Sequence, residues 1–282
     1  MNERTVAIVV VNWNGLEDTE RCLASVERLD YAEREVIVVD NGSTDGSADR
    51  LAARPGIALV RSDQNRGFAG GANLGIDRAL KGAAEFVWLL NNDAEPEPEA
   101  LSALVDEAET DARIGIVGGV LPEAWGGGRI NEWTGVARPV TEPGEEIDYV
   151  SGACMLVRRR VFERVGRFDE AFFFYFEDAD LCRRAQSAGW RLAVAPDAIV
   201  HHVGGATVDR GGKGRSASAD RLQVESGGVF IGKHLGDWAR LAVPVRMTGI
   251  VVKRLARGQP GRIPGLAAAL RDGVRRGQAS AR

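Results

Sequence analysis

The amino-acid sequence predicts an α/β protein built on a doubly wound, mostly parallel central sheet with flanking helices. Two observations carry that prediction. In the first 120 residues, short β-branched runs alternate with stretches of helical spacing, and strands covered on both faces read as unbroken apolar runs of this kind. Those runs also close alike, on Asn, Asp and Gly, at the edge where open α/β sheets bind their ligands. The 282 residues, 44% hydrophobic and 27% charged, supply core enough for one large domain or two small ones.

In chain order, residues 5–12, 35–40, 57–62, 85–91 and 114–120 read as strands. Residues 16–29, 45–53, 70–81 and 97–109 carry helical spacing between them, and such crossovers are right-handed. Strand one closes on Asn12-Trp13-Asn14-Gly15, strand two on Asp40-Asn41-Gly42-Ser43 and strand four on Asn91-Asn92-Asp93. The third leads into Asn65-Arg66-Gly67 and on to Asn73. One polar strand end marks only a turn; four on one edge mark a site. A Gly/Pro-rich excursion follows over 121–149, then a strand over 149–157 and helices near 159–165 and over 177–188. Residues 204–218, rich in Gly and Ser, read as a mobile connection, and 219–235 as a helix.

Composition excludes several classes. Cys22, Cys154 and Cys182 are odd in number and form no C-x-x-C pair, which argues against a disulfide framework or structural zinc and for a reducing cytoplasm. No apolar run reaches the ~18 residues of a membrane span, and the first residues lack a signal peptide's basic region and cleavage site. Charge is unevenly spread. Residues 240–282 carry ten Lys/Arg against Asp272 alone, a +9 stretch behind a −13 body in a chain of formal charge −4. A domain over 1–238 is thereby set apart from a basic, partly apolar tail over 239–282. Two placements stay open for that tail: the anionic inner face of the plasma membrane, or the acidic body itself. No nucleic-acid partner is expected.

The nucleotide fingerprints narrow the function. G-x-G-x-x-G is absent after strand one, and Gly211-Gly212-Lys213-Gly214 lacks both the spacing and the setting of a phosphate loop. What remains is a parallel sheet with an acid after strand two and another after strand four. Asp40 can accept a ring N–H of uracil, thymine or guanine, or cap the turn that follows it. Asp93 offers a carboxylate oxygen to a hard divalent cation, or caps the next helix. His201 and His202 are adjacent on an extended segment, so at most one faces a site. Asp178, Leu181, Cys182 and Ala185 fall on one helical face, which places Asp178 inward; Glu177, Asp180 and Arg184 then read as a solvated ion-pair face.

The blocks VVNWNG, VVDNGSTDGS, NRGFAGGANLGI, LLNNDAEP, YVSGACMLVRR, FDEAFFFYFEDADLCRRAQSAGW and HHVGGAT resemble family 2 glycosyltransferases of the GT-A fold, in the rhamnosyltransferase-like branch. The likeness runs collinearly over residues 4–235. It implies an inverting, metal-dependent transfer from a nucleotide-diphospho-sugar, of the dTDP or UDP type and with dTDP-rhamnose favoured, to a saccharide or lipid-linked saccharide in cell-envelope polysaccharide synthesis. It assigns Asp40 to the base, and Asn12, Arg66, Gly67, Asn73, Asn92 and Asp93 to the donor, with Ser151 and Gly152 as a wall beside the transferred sugar. Asp93 and His202 would hold Mg²⁺ or Mn²⁺, and Asp178 would be the general base. The family's D-x-D metal motif stands here as Asn91-Asn92-Asp93, with only its last acid. Processive synthases carry Q-x-x-R-W; Gln186-Ser187-Ala188-Gly189-Trp190 lacks the arginine, so one sugar per encounter is expected. A non-catalytic scaffold and a sugar-1-phosphate nucleotidyltransferase are the competing classes. The second would need a basic, Gly-rich loop after strand one, and Asn12–Leu16 is not one.

Overall fold

The computed structural model describes residues 4–121, 124–131, 134–202 and 216–281; most of the Gly/Ser-rich connection, 203–215, lies outside the described residues. Four parallel strands come first, β1 (Val6–Asn12), β2 (Arg34–Asn41), β3 (Ala58–Ser62) and β4 (Phe86–Asn91), ordered β3-β2-β1-β4. They are linked by α1 (Leu16–Glu27), α2 (Ser47–Ala52) and α3 (Gly67–Lys81). Successive strand residues point to opposite faces. Val6, Ile8 and Val10 therefore enter one core with Val26, while Ala7 and Val9 enter the other with Ala72 and Ile76. Both faces of β1 are dry, which is why its sequence is apolar throughout.

Beyond β4 the sheet becomes mixed. β5 (Ala94–Pro96), α4 (Ala100–Thr110) and β6 (Ile114–Val120) follow. β7 (Gly127–Asn131), β8 (Val136–Pro139) and β9 (Tyr149–Val150) form a small separate sheet. β10 (Cys154–Arg158) then inserts antiparallel between β4 and β6. The single strand expected over 149–157 is thus two, broken at 151–153 because β9 joins the small sheet and β10 the large one. After α5 (Arg159–Val165) and α6 (Glu177–Ser187), β11 (Arg191–His202) runs parallel to β6 and carries β5 on its far edge.

The C-terminal residues form three helices, α7 (Ala217–His234), α8 (Ala239–Ala256) and α9 (Ile263–Ser280). Val229, Phe230 and Leu270 close a core with Phe172 and Phe176. The α7 and α9 backbones touch: a Cβ on Gly273 would lie 2.0 Å from the Glu225 carbonyl oxygen, and one on Gly277 2.0 Å from that of Val229. A side chain there forces the helices apart, and overpacking of this kind costs about 1–3 kcal/mol. Gly277→Val should lower stability by at least that much in urea denaturation, and an unchanged midpoint would contradict the close contact. Asp220 of α7 is buried between Arg254 (2.7 Å) and Arg262 (2.8 Å), so part of the basic segment is neutralised by the acidic body. Among the described residues no helix is long and apolar enough to cross a membrane.

Candidate active site

The polar strand ends do converge on one edge. The β1–β2 register sets Asn12 opposite Asp40, and Asn12 donates to Asp40 Oδ1 (2.9 Å) and Ser43 Oγ (3.1 Å). Its Oδ1 accepts from Thr19 Oγ1 (2.9 Å) and the Gly15 N–H (3.3 Å). All four hydrogen-bonding positions of this amide are thus spent inside the protein. Asn12, expected at the donor, holds Asp40 in place. Asn73 is likewise committed: it bonds the Phe168 backbone in both directions, at 3.0 and 3.1 Å, and Glu170 at 3.2 Å. Arg66 pairs with Glu170 Oε2 at 3.1 Å. These two residues clamp the loop before α6 onto α3.

Two cavities open at the edge. One, of about 430 Å³, is lined by Trp13, Asn41, Asn65, Gly67, Asn92 and Asp93. The other, of about 500 Å³, is lined by Ser151, Gly152, Glu177, Asp178, His202 and Gln223. They share Phe68, Asn91 and Phe174, and the two rings stand edge to face with centroids 6.2 Å apart. Asp40 is buried beside the cavity residue Asn41, only 2% exposed. Gly67 has φ +73°, and a Cβ there would fall 2.2 Å from the Phe173 carbonyl oxygen, to which the Phe68 N–H donates at 2.8 Å. Only glycine lets the aromatic loop approach so closely.

Asp93 and His202 meet although 109 positions separate them. Antiparallel pairing of β5 with β11 sets His202 opposite Ala94, and His202 Nε2 lies 3.2 Å from Asp93 Oδ1 and 3.3 Å from Asn91 Nδ2. His201 turns the other way, 3.0 Å from Glu97. Among the described residues no group of three or more His, Cys, Asp or Glu is placed to hold a metal. The Asp93–His202 pair still fits a divalent ion. A carboxylate oxygen and an imidazole suit Mn²⁺, and Mg²⁺ ordinarily completes its shell with water and substrate phosphate.

Asp178 sits in the first turn of α6. Its Oδ2 accepts the Gly152 N–H at 3.0 Å and its Oδ1 the Ala179 N–H at 2.8 Å. Burial raises its pKa above the ordinary carboxylate value, and those two N–H groups oppose the rise. Glu177, beside it, is 6% exposed, with an Oε2 that has no partner among the described residues. Burial, and then the Asp178 charge, push Glu177 well up. The helix is aimed by two consecutive left-handed aromatic residues, Tyr175 (φ 72°) and Phe176 (φ 69°). That conformation costs roughly 1–2 kcal/mol per residue. It is held by Phe176 in the C-terminal core and by Ser226 Oγ donating to the Phe174 carbonyl at 2.7 Å.

The solvated face expected for α6 is not solvated. Asp180 is fully buried, 2.8 Å from Arg184 Nε, 2.9 Å from Lys233 Nζ and 2.7 Å from His234 Nε2. α7 packs on the side of α6 that the helical period leaves polar. Sequence reasoning also missed Ser218, Leu222 and Gln223, which α7 sends into the cavities, and Glu170 as the partner of Arg66. Nothing local in the sequence marks these four.

Comparisons with known proteins agree with this geometry. The chain is 30% identical to N-acetylglucosaminyl-diphospho-decaprenol L-rhamnosyltransferase of Mycobacterium tuberculosis, across 86% of this chain and 88% of the relative. Mannosyltransferase PcManGT from Pyrobaculum calidifontis, solved with GDP-Man and Mn²⁺, superposes with a TM-score of 0.62 at 20% identity, over 95% of this chain and 74% of that one. GalNAc-T7, solved with UDP, GalNAc and Mn²⁺, superposes with a TM-score of 0.67 at 15% identity, over 84% and 49%. At such identities the two structures establish the GT-A fold and no more. The family model for Glycosyl transferase family 2 matches residues 7–166, a span that runs from β1 to the end of α5 and holds Phe68, shared by the two cavities, and the Ser151–Gly152 turn. With that match and the mycobacterial relative together, the chain belongs to the family 2 glycosyltransferases and is rhamnosyltransferase-like.

Proposed function

We propose that the protein transfers one sugar, with inversion, from a nucleoside-diphospho-sugar in the first cavity to a hydroxyl of an acceptor in the second. One observation carries this reading: Asp93 lines the first cavity and His202 the second, and the two touch at 3.2 Å. A diphosphate laid against that pair would put the anomeric carbon at the seam, with Asp178 on the acceptor side. Asp178 takes the proton of the attacking hydroxyl. That oxygen bonds to the anomeric carbon as the carbon–phosphate-oxygen bond breaks, and the electron pair leaves with the nucleoside diphosphate. Attack opposite the leaving group inverts the configuration. Asp93 and His202 would hold Mn²⁺ or Mg²⁺, which when bound neutralises charge on the departing diphosphate. Asp40, Asn41 and Asn65 would meet the base, and Arg66 would reach the phosphates on release from Glu170.

The rhamnosyltransferase names among the relatives support dTDP-rhamnose as the donor, and a lipid-linked saccharide as the acceptor. The test is a hydrolysis screen of dTDP-rhamnose, UDP-glucose, UDP-galactose and GDP-mannose by purified protein with Mn²⁺ or Mg²⁺. Slow, metal-dependent turnover of dTDP-rhamnose is expected. Selective turnover of another donor would overturn the sugar assignment, and failure to bind any would overturn the transferase reading. His202→Ala should weaken Mn²⁺ binding in the presence of dTDP by at least about ten-fold, read by titration calorimetry, whereas a variant that binds Mn²⁺ normally would remove His202 from the site.

A further inference from the structure

α8 is apolar on two opposite sides. A helix between a protein body and water normally turns its apolar stripe inward and its charges outward. Here Ala239, Ala242, Val243, Met247 and Ile250 do pack inward, but Arg246 and Arg254 point inward with them. Arg246 donates to the carbonyls of Thr134 (3.2 Å) and Gly135 (2.8 Å), and burial lowers its pKa to about 10, which leaves it charged at neutral pH. Room for it exists because residue 227 is glycine, where a Cβ would fall 2.0 Å from the guanidinium. Arg254 is 5% exposed on Asp220. The outward side carries Trp238, just before the helix, then Leu241, Val245, Val252 and Leu255, each between 54% and 61% exposed. Their spacing of 3, 4, 7 and 3 keeps all five on one line, about 26 Å long at 1.5 Å per residue.

We propose that this outward face docks on an anionic lipid surface. The charge pattern selects that occupant. From 237 to 256 the chain holds Arg240, Arg246, Lys253 and Arg254 against Asp237 alone, with Arg240 and Lys253 exposed beside the stripe. A second copy of the same helix would bring like charges together. Five half-covered side chains also fall short of the roughly 800 Å² per partner of a stable protein interface. A bilayer interface takes the whole line at once: aliphatic side chains enter the acyl boundary, the Trp238 ring lies at headgroup depth, and the cations meet lipid phosphates. The two placements open to the basic segment are then both used, by opposite sides of one helix.

Co-sedimentation of the full chain with phosphatidylcholine vesicles, with and without phosphatidylglycerol, tests this without any substrate, so its outcome is separate from that of the transfer reaction. The wild type is expected to partition onto the phosphatidylglycerol vesicles, less so as salt rises. Leu241→Gln with Leu255→Gln should lower partitioning at least about ten-fold, and Arg240→Gln with Lys253→Gln about five-fold per charge at low salt. Both pairs should melt at the wild-type temperature. Wild-type protein that stays free of both vesicles, or leucine variants that bind as well as wild type, would overturn the proposal. So would a dimer in sedimentation velocity that the leucine variants abolish, since that assigns the face to a second copy.

Discussion

Asp178→Asn is expected to lower sugar transfer by about 10²–10⁴-fold while nucleoside diphosphate binding and the fold stay unchanged. The amide keeps the shape of the carboxylate and one acceptor for the Gly152 or Ala179 N–H, but it cannot take the hydroxyl proton. Single-turnover kinetics with saturating donor read the effect directly, and activity within a few-fold of wild type would assign the base elsewhere. The wild-type pH profile follows from the same carboxyl. Its pKa is raised by burial, and the proposed base acts only when ionised, so activity is expected to fall on acidification over a range above that of an ordinary aspartate. Glu177 is pushed further up by burial and by the Asp178 charge.

Asp180→Ala is the matching prediction for stability, with an expected loss of about 3–5 kcal/mol. Removing this carboxylate leaves Arg184, Lys233 and His234 facing one another in a site where Asp180 itself is fully buried. Its hydrogen bond from His234 and the charges of Arg184 and Lys233 outweigh burial and hold its pKa down at about 2, below the ordinary 3.8. A depressed folded value stabilises above the unfolded pKa, and that contribution fades as pH falls from about 4 through about 2. Urea denaturation should therefore show a wide gap between wild type and Asp180→Ala at neutral pH and a narrow one near pH 2. Equal gaps at both would mean that packing, not charge, is what the alanine removes.

The parallel half of the fold was legible because β1, β4 and most of β2 are buried on both faces and β1 to β4 end at one edge, so apolar runs and polar stops fall together in the chain. Asp178 was legible for a similar reason: Leu181, Cys182 and Ala185 share its face. Asp180 was not, because a helical period marks one covered side, and α7 covers a second from more than fifty residues away. The bonds of Asn12 to Asp40 and of Asn73 to Phe168 were not legible, because an amide that scaffolds a site has the same sequence signature as one that touches a ligand. The basic C-terminal segment shows its charge in composition. The two arginines that α8 turns inward depend on Asp220 and Gly227, whose positions on α7 nothing in the local pattern reveals.

The cluster around Asp180 also decides where this enzyme can be recombined with a relative. Asp169 and Asp180 are bonded to Lys233 (2.5 and 2.9 Å), and Ser280 reaches Asp169, so everything from the loop before α6 to the last helix is one inheritable block. A crossover inside it would strand a buried carboxylate with foreign partners. A crossover just ahead of it, between β10 and Phe168, would exchange β1 to β10 and leave β11 to pair with a foreign β5 and β6. The side-chain bonds it would have to rebuild at that loop include those of Asn73 to Phe168 and Arg66 to Glu170. Chimeras should be cut there only with β6 and Asp93 matched to β11 and His202 across the join.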